Sequence, residues 1–255
     1  MAAVDPDRLA QAPRGTLGTV RNATLLLDLL SEGPPYQQLT DLAERSGLSL
    51  PTVHRLLRSL AVSGLVEQDP ASLRYGLGPE LVRLSERYLA RLPVCRAITP
   101  YLVELRNSTK ATVLAAVFAR GWVVYVDRID GEDPGGVFRE PVRMRPAFET
   151  AAGRVLAARG GLDTWREALA TANDYNFTVE DRKRWAAATY LVLFEEQPHR
   201  MAEVAVPITN GAGHTLAALV ATGSAERYTE DVLLEQVTPQ LARAAAAVSR
   251  NLSHG

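Results

Sequence analysis

Residues 39–63 read LTDLAERSGLSLPTVHRLLRSLAVS, and this stretch predicts two short helices joined by a tight turn. Gly47 follows the first helix, where the chain commonly enters the left-handed conformation that glycine adopts without steric cost. Ser49 is a favoured N-cap for the second helix, and Pro51 falls in the first turn, where a missing backbone N–H costs little. Two short helices joined in this way form the helix-turn-helix pattern.

The second helix, predicted over Leu50–Ser63, has one apolar and one polar face. Its apolar residues follow the i, i+3, i+4, i+7 spacing of a buried stripe: Val53, Leu56, Leu57 and Leu60. The outer face holds two arginines, a histidine and a hydroxyl: Arg55, Arg58, His54 and Thr52. Because these side chains can bind base edges or phosphates, the face suits a DNA major groove. Taken alone, the helix could equally be an ordinary surface helix with solvated arginines.

A short hairpin is predicted directly after this helix. Two strand-like runs, Leu65–Gln68 and Leu73–Leu77, flank the turn formers Asp69–Ser72. A hairpin in this position makes a winged helix, whose tip would approach phosphates or the minor groove. This order of elements favours double-stranded DNA as a partner, and the predicted DNA-contacting residues are Ser49, Pro51, Thr52, His54, Arg55, Arg58, Ser59 and Arg74.

The charge balance gives this prediction no general support. The formal net charge is -1, and residues 1–95 hold ten arginines, no lysine and ten carboxylates. DNA recognition would therefore depend on a local group of basic side chains, for which the candidates are Arg45, Arg55, Arg58 and Arg74. We expect weak non-specific binding and a modest salt dependence.

The N-terminal part also predicts a tail, a first helix and a linker. Residues 1–16, rich in Ala, Asp, Pro and Gln, are expected to be a disordered tail. The helix Thr19–Ser31 would form a dimer contact through Leu25, Leu26, Leu29 and Leu30. A helix from Pro79 to Leu92 would link two domains. The predicted boundaries are 1–16 for the tail, 17–78 for the winged helix-turn-helix domain, 79–93 for the linker helix and 94–255 for the second domain.

The remaining sequence predicts an α+β domain built on an antiparallel sheet. A helix over Ile98–Ser108, opened by Thr99-Pro100, would begin it, and Arg120-Gly121 would join the first two strands in a tight hairpin. The predicted strands are Thr112–Ala119, Trp122–Ile129, a run near Gly136–Val142, Tyr190–Glu195, Ala202–Ile208 and Thr215–Thr222. The predicted helices are Thr150–Arg159, Asp163–Ala172, Val179–Thr189 and Glu230–Leu252.

No motif indicates catalysis, a metal or a cofactor, and we expect none of them. The single cysteine, Cys95, excludes an internal disulfide and fits a reducing compartment. The four histidines are scattered, with no i, i+4 pair and no cysteine beside them. No signal segment opens the chain and no apolar run has the length of a membrane span, so we expect a cytoplasmic protein without a membrane partner.

Together these motifs resemble the IclR-type bacterial transcriptional regulators. The N-terminal likeness rests on Leu39–Ala43, Gly47-Leu48, Thr52–Leu57, Gly64–Val66 and Tyr75–Gly78. Further on, Pro146 followed by Thr150–Arg154 resembles the Pro-x-x-x-Thr-Ala-x-Gly-Lys segment of the family. Glu195-Glu196 followed by Val204–Ile208 resembles its Glu-Glu to Val-Ala-x-Pro-Ile segment. The likeness covers roughly residues 17–252.

The resemblance implies a GAF/PAS-like effector domain that binds a small molecule near these two segments. The effector-binding residues that it indicates are Phe148, Glu149, Thr150, Ala151, Glu195 and Glu203. A helix beginning near Thr150 would aim its backbone N–H groups at the pocket, which favours anions, and Arg143 and Arg145 could assist. The alternative is that Thr150 only caps its helix and that Glu195 and Glu196 are surface charges.

The sequence departs from the family pattern at this pocket. Phe148-Glu149 stand where the family commonly has His followed by Cys or Ser, and Glu203 stands where it commonly has Cys. Two added carboxylates would repel a carboxylate effector. Three outcomes stay open: a cationic, hydroxylated or aromatic effector, a carboxyl group kept protonated, or a domain that no longer senses a ligand.

The resulting hypothesis is a ligand-responsive DNA-binding regulator, with repression favoured over activation. Two winged helices in a homodimer, or in a dimer of dimers, would place their Leu50–Ser63 helices in successive major grooves of a near-palindromic operator, about 34 Å apart. The alternative is a small-molecule sensor or enzyme whose winged helix mediates only protein contact.

Overall fold

The computed structural model of the chain describes residues 17–132, 144–172, 177–195 and 200–253. The tail predicted over 1–16 and the strand predicted near 136–142 lie outside the described residues. The chain divides into two compact units, Met1–Tyr88 and Leu89–Gly255. The finer division into tail, winged helix, linker and second domain stays a prediction.

The first unit is a winged helix-turn-helix, as the sequence predicts. Its elements are α1 (Gly18–Glu32), α2 (Leu39–Ser46), α3 (Leu50–Val62), β1 (Val66–Gln68) and β2 (Tyr75–Leu77), with the two strands paired antiparallel. Gly47 ends α2 in the left-handed conformation, with a φ of 66°, and its N–H donates to the Glu44 carbonyl. The turn that directs α3 away from α2 is therefore built on the glycine identified from the sequence.

The leucines of α1 belong to the core of this unit. Leu25, Leu26, Leu29 and Leu30 are at most 8% exposed, and they pack with the buried stripe of α3. The prediction that these side chains form a dimer contact is wrong, because their apolar surface is already buried inside one chain. Because these leucines pack against the apolar stripe of α3, the polar face of α3 is left pointing outward.

The Arg45 side chain also makes contacts within the first unit. Its guanidinium donates to the Gln37 side-chain oxygen at 2.7 Å and pairs with Glu32 at 3.5 Å. The Gln37 amide in turn donates to the Leu29 carbonyl at 3.0 Å, near the end of α1. These donors stabilise the α1–α2 connection, and Arg45 is still exposed, so its place in a DNA-facing basic group stays a prediction.

Two consecutive helices follow the wing, α4 (Glu80–Arg91) and α5 (Pro93–Thr109). The predicted helix start at Thr99-Pro100 is wrong, since α5 begins at Pro93 and Pro100 lies inside it. An interior proline removes one helical hydrogen bond and costs about 3 kcal/mol. The helix continues because its buried stripe spans both sides of the proline: Val94, Ile98, Leu102 and Leu105.

Within the described part of the second unit, six strands form an antiparallel sheet in the order β5-β4-β3-β8-β7-β6. The strands are β3 (Thr112–Ala119), β4 (Trp122–Ile129), β5 (Met144–Pro146), β6 (Leu191–Glu195), β7 (Met201–Thr209) and β8 (Thr215–Ser224). Arg120 and Gly121 connect β3 to β4 with φ angles of 49° and 89°, which confirms the predicted tight hairpin.

Helices cover both faces of this sheet. One face packs against α5 and the C-terminal helical segment, which consists of α9 (Glu230–Val232), a π-helical stretch (Leu233–Val237) and α10 (Thr238–Ser253). The other face packs against α6 (Ala151–Arg159), α7 (Leu162–Ala170) and α8 (Val179–Ala187). The predicted α+β class is therefore confirmed. In the described ranges, no helix is long and apolar enough to cross a membrane.

Side chains on β7 alternate between these two faces, as strand geometry requires. Ala202 and Val204 face α5 and α10, whereas Ala205 faces α6. Glu203 lies between Ala202 and Val204, so it faces α6. This alternation places one carboxyl group beneath the start of a helix.

Candidate functional site

The polar face of α3 is exposed in the first unit. Pro51, His54, Arg55, Arg58 and Ser59 are all exposed, and Thr52 is half-buried. The structure thus brings most of the predicted DNA-contacting residues onto one surface. Over the described residues, neither of the two arginines forms an ion pair within this chain.

Ser49 is the N-cap residue of α3 by position, but its side chain does not cap the helix backbone. Its hydroxyl lies 2.8 Å from the Thr52 hydroxyl, and either oxygen can be the donor. The predicted capping role of the side chain is therefore wrong. The two hydroxyls instead form an exposed pair at the end of α3 from which the helix begins.

The wing tip is fixed by Asp69. Its carboxylate accepts the Ser72 N–H at 2.9 Å, and the hydrogen bonds from Ser72 lower the pKa of Asp69. Arg74 is exposed beside this turn. Leu73 was not identified as a candidate from the sequence. It is 66% exposed and has a φ of 58°, a backbone conformation that residues other than glycine rarely adopt.

A second candidate site lies in the second unit between β5, β6, β7, β8 and the turn Ala147–Glu149 that precedes α6. It is a small cavity of about 10 Å³, which is about the size that holds one water molecule. Three carboxylates, one arginine and three other side chains line it: Glu149, Glu195, Glu203, Arg145, Leu193, Met201 and Thr222.

Arg145 is the cation of this cavity. Its guanidinium donates to both oxygens of Glu195, at 2.8 and 3.1 Å, and lies 3.6 Å from Glu149. Burial opposes its charged form, but the hydrogen bonds and charge of Glu195 outweigh burial and raise the pKa of Arg145. Glu195 is therefore an ion-pair partner and not a free surface charge. Glu196 and Arg143 lie outside the described residues.

Glu203 also lines this cavity and is 7% exposed. Its carboxyl oxygen accepts the Ala152 backbone N–H at 3.0 Å, in the first turn of α6. Burial, opposed by this hydrogen bond and by the charge of Arg145, raises the pKa of Glu203. The period-two alternation of β7 places this side chain on one face of the sheet, and the fold places α6 over that face.

Thr150 caps α6 with its own side chain, which accepts the Gly153 N–H at 2.9 Å. A Cβ on Gly153 would lie 2.0 Å from the Ala147 carbonyl oxygen, so only glycine allows α6 to pack this closely on the preceding turn. Thr150 thus makes the capping contact that was the alternative to ligand binding. Ala151 is buried at the first position of the helix.

Phe148 does not line the cavity. Its ring is 1% exposed and packs edge-on against Trp165 at 4.7 Å and Phe177 at 4.8 Å. Arg154 donates to the Phe148 carbonyl at 2.9 Å and lies over the Phe177 and Trp185 rings. This aromatic cluster holds α6, α7 and α8 together behind the cavity.

Both units match known families. Residues 19–70 match the IclR helix-turn-helix domain, and residues 86–250 match the C-terminal domain of bacterial transcriptional regulators of the IclR type. A glycerol operon regulatory protein from Streptomyces coelicolor is 31% identical, over 93% of this chain and 97% of its own length. The similarity therefore extends over both units and is not confined to the winged helix.

Solved structures share this fold. An IclR-type transcriptional regulator from Silicibacter sp. TM1040 has a TM-score of 0.76 at 24% identity, covering 92% of this chain and 96% of that one. An IclR homologue from Microbacterium hydrocarbonoxydans, solved in complex with 4-hydroxybenzoate, has a TM-score of 0.69 at 19% identity, covering 92% and 99%. At these identities the likeness concerns the fold.

Proposed function

The chain belongs to the IclR family of bacterial transcriptional regulators, and we propose that it reads its DNA operator with the exposed face of α3. The observation that carries this proposal is the division of α3 into a buried leucine-rich stripe and an exposed face with Arg55 and Arg58. Since both guanidiniums are exposed, they can fork onto guanine or phosphate without first leaving the protein interior. The full proposed contact set is Ser49, Pro51, Thr52, His54, Arg55, Arg58, Ser59 and Arg74.

The test of this surface is Arg55→Ala in the full-length chain. We expect a loss of operator affinity of about 5-fold to about 150-fold in a gel-shift titration, because one bidentate base contact contributes about 1–3 kcal/mol. Arg243→Ala is the matched control, since it removes an exposed arginine from α10 in the second unit. Equal affinity of the Arg55 variant and the parent would overturn the assignment of α3.

The salt dependence of the same titration separates two roles for Arg55. A lost phosphate contact lowers the slope of log K against log salt by about 0.9 and weakens all sequences alike. A lost base contact relaxes the preference at one operator position instead. Either result supports DNA contact by α3, and the two distinguish positioning from readout.

We further propose that the cavity beside Arg145 receives a small-molecule effector. Perturbed ionisable groups concentrated in one buried place are typical of binding sites. The present cavity of about 10 Å³ is too small for a metabolite, so binding requires the Arg145–Glu195 pair to open. Its lining has more carboxylates than cations, which disfavours a simple carboxylate and favours a cationic or hydroxylated effector.

The chain is also proposed to act as a homodimer. No residue of α4 is buried, and its Val82, Leu84 and Tyr88 are 64%, 46% and 61% exposed. Leu84 and Tyr88 are four residues apart and so share one face of the helix, and exposed apolar side chains grouped on one face are typical of an interaction surface. Since the leucines of α1 are buried in the core, α4 is the better candidate for the contact between two copies.

A further inference from the structure

One carboxyl group of the chain sits where a helix would bind an anion. The first N–H groups of a helix have no intrahelical acceptor, and the helix dipole adds positive charge there. In α6, the Ala152 N–H donates to the Glu203 carboxyl at 3.0 Å. Glu203 comes from β7 and is far away in sequence, so this is a tertiary contact and not a local cap.

The surroundings of Glu203 offer it little other compensation. An ionisable group that is 7% exposed is costly to bury unless it is hydrogen-bonded or paired. Arg145 is engaged by both oxygens of Glu195 and approaches Glu149, and no ion pair of Glu203 occurs within the described ranges. The beginning of α6 is therefore the main partner of this carboxyl group.

We propose that Glu203 is a built-in occupant of the anion position in the effector pocket. Its carboxyl group takes the place at the start of α6 that the carboxylate of an external ligand would otherwise take. The inference rests on the proposed effector site and deepens it, because it assigns the residue that determines the ligand class. While Glu203 is present, the pocket excludes carboxylates, and removing its side chain converts the pocket into a carboxylate-binding site.

The geometry also defines what the converted site would accept. Truncation at Cβ removes the carboxyl group and one methylene, which frees space for a short aliphatic carboxylate next to the existing cavity. The released Ala152 N–H becomes the donor, and Arg145 lines the same cavity. Acetate and propionate fit this description, whereas chloride provides only charge.

The test uses full-length Glu203→Ala in thermal unfolding and calorimetric titration with sodium acetate and sodium propionate. Sodium chloride at equal ionic strength is the reference. We expect saturable binding and, at about 100-fold excess over Kd, a rise in Tm of about 5–10 °C. The parent chain should show no such rise.

Two further variants control the interpretation. Glu149→Ala removes a carboxylate from the same cavity but leaves Glu203 on α6, so it should not gain an acetate response. Glu203→Gln keeps an acceptor of the same shape in place and should also stay unresponsive. If Glu203→Ala does not fold in chloride, refolding in acetate replaces the thermal measurement, and a recovery of soluble protein in acetate alone is expected.

The proposal is overturned if the parent responds to acetate as strongly as the variant. It is also overturned if neither carboxylate affects Glu203→Ala. The measurement is the Tm where the variant folds in chloride, and the refolding yield where it does not. None of these readouts needs DNA, so they do not depend on the operator test of Arg55. Acetate binding to Glu203→Ala without any change in operator affinity would contradict the effector function while leaving the anion position established.

Discussion

At the residue scale, Leu73 has a backbone conformation that its side chain does not favour. The left-handed region destabilises a non-glycine residue by about 1–2 kcal/mol, and glycine removes this cost. Glycine also has more backbone entropy in the unfolded state, which offsets about 0.5–1 kcal/mol of the stability gained. Because the Leu73 side chain is 66% exposed, its removal costs little packing. Leu73→Gly should therefore raise the free energy of unfolding by up to about 1 kcal/mol.

Urea unfolding of the full chain measures this change. Leu73→Ala is the matched control, since it shortens the side chain but keeps the Cβ that causes the strain. We expect the alanine variant to be no more stable than the parent. A gain of the same size in both variants would show that the Leu73 side chain, and not its backbone conformation, is responsible.

Glu203 should make stability depend on pH with a defined sign. Burial, opposed by the Ala152 N–H and Arg145, raises its pKa, and Glu195 and Tyr125 are the other titratable groups that face it. A raised folded-state pKa gives stability that is full below the unfolded pKa and is lost as pH rises through the raised value. Glu203→Gln does not titrate, so it should gain stability relative to the parent as the pH rises above about 4, the ordinary pKa of a glutamate. A constant difference over this range, measured by urea unfolding, would contradict the assignment.

At the element scale, the position of α6 depends on the absence of a side chain at residue 153. A Cβ there would meet the Ala147 carbonyl oxygen at 2.0 Å, and this oxygen is backbone that cannot rotate away. Gly153→Ala should destabilise the second unit by about 1–3 kcal/mol, the usual cost of overpacking. Gly18→Ala is the control, since a Cβ at Gly18 meets nothing within 4 Å.

Differential scanning calorimetry of both variants would measure this effect. The Gly153 variant should lower the Tm, while the Gly18 variant should leave it unchanged or slightly higher, because alanine favours a helix over glycine. A normal Tm for Gly153→Ala would mean that α6 can move away from the preceding turn. The anion position at its start would then be less rigid than the contacts indicate.

Local signals predicted most of these elements, and non-local packing decided the exceptions. Gly47 and Arg120-Gly121 were identifiable because a turn's residue types determine its conformation. The start of α5 was not, because the Pro100 signal is strong locally but is outweighed by the buried stripe that continues through it. A single sequence carries no measure of how much tertiary packing will stabilise a helix across a proline.

The candidate sites also differ in whether local sequence signals or non-local packing determine them. The polar face of α3 follows from helical periodicity, so its exposed residues could be predicted. The pocket is assembled from residues between Arg145 and Thr222, and no local pattern joins Glu203 to Ala152. Phe148 was assigned to the pocket by the family resemblance, whereas its ring lies in the aromatic cluster.

At the scale of the whole molecule, the low net charge limits how the protein can find DNA. With a formal net charge of -1, long-range attraction to DNA is weak, so affinity has to come from a few contacts made at once. A second copy doubles the number of exposed arginines that one operator meets. The doubled contacts favour a dimer on a two-fold symmetric site over a single winged helix on one half-site.

Selection of binding sites from a random DNA pool by the full-length protein would test this arrangement. We expect inverted half-sites whose centres are about 10–10.5 base pairs apart, or a multiple of that, since each α3 helix would enter one major groove. A duplex with one half-site scrambled should lose much of its affinity, because only one set of α3 contacts remains. Two identical surfaces related by a two-fold axis select a two-fold symmetric sequence. Recovery of a single unrepeated motif that is bound equally well when its flanks are scrambled would therefore refute the dimer hypothesis.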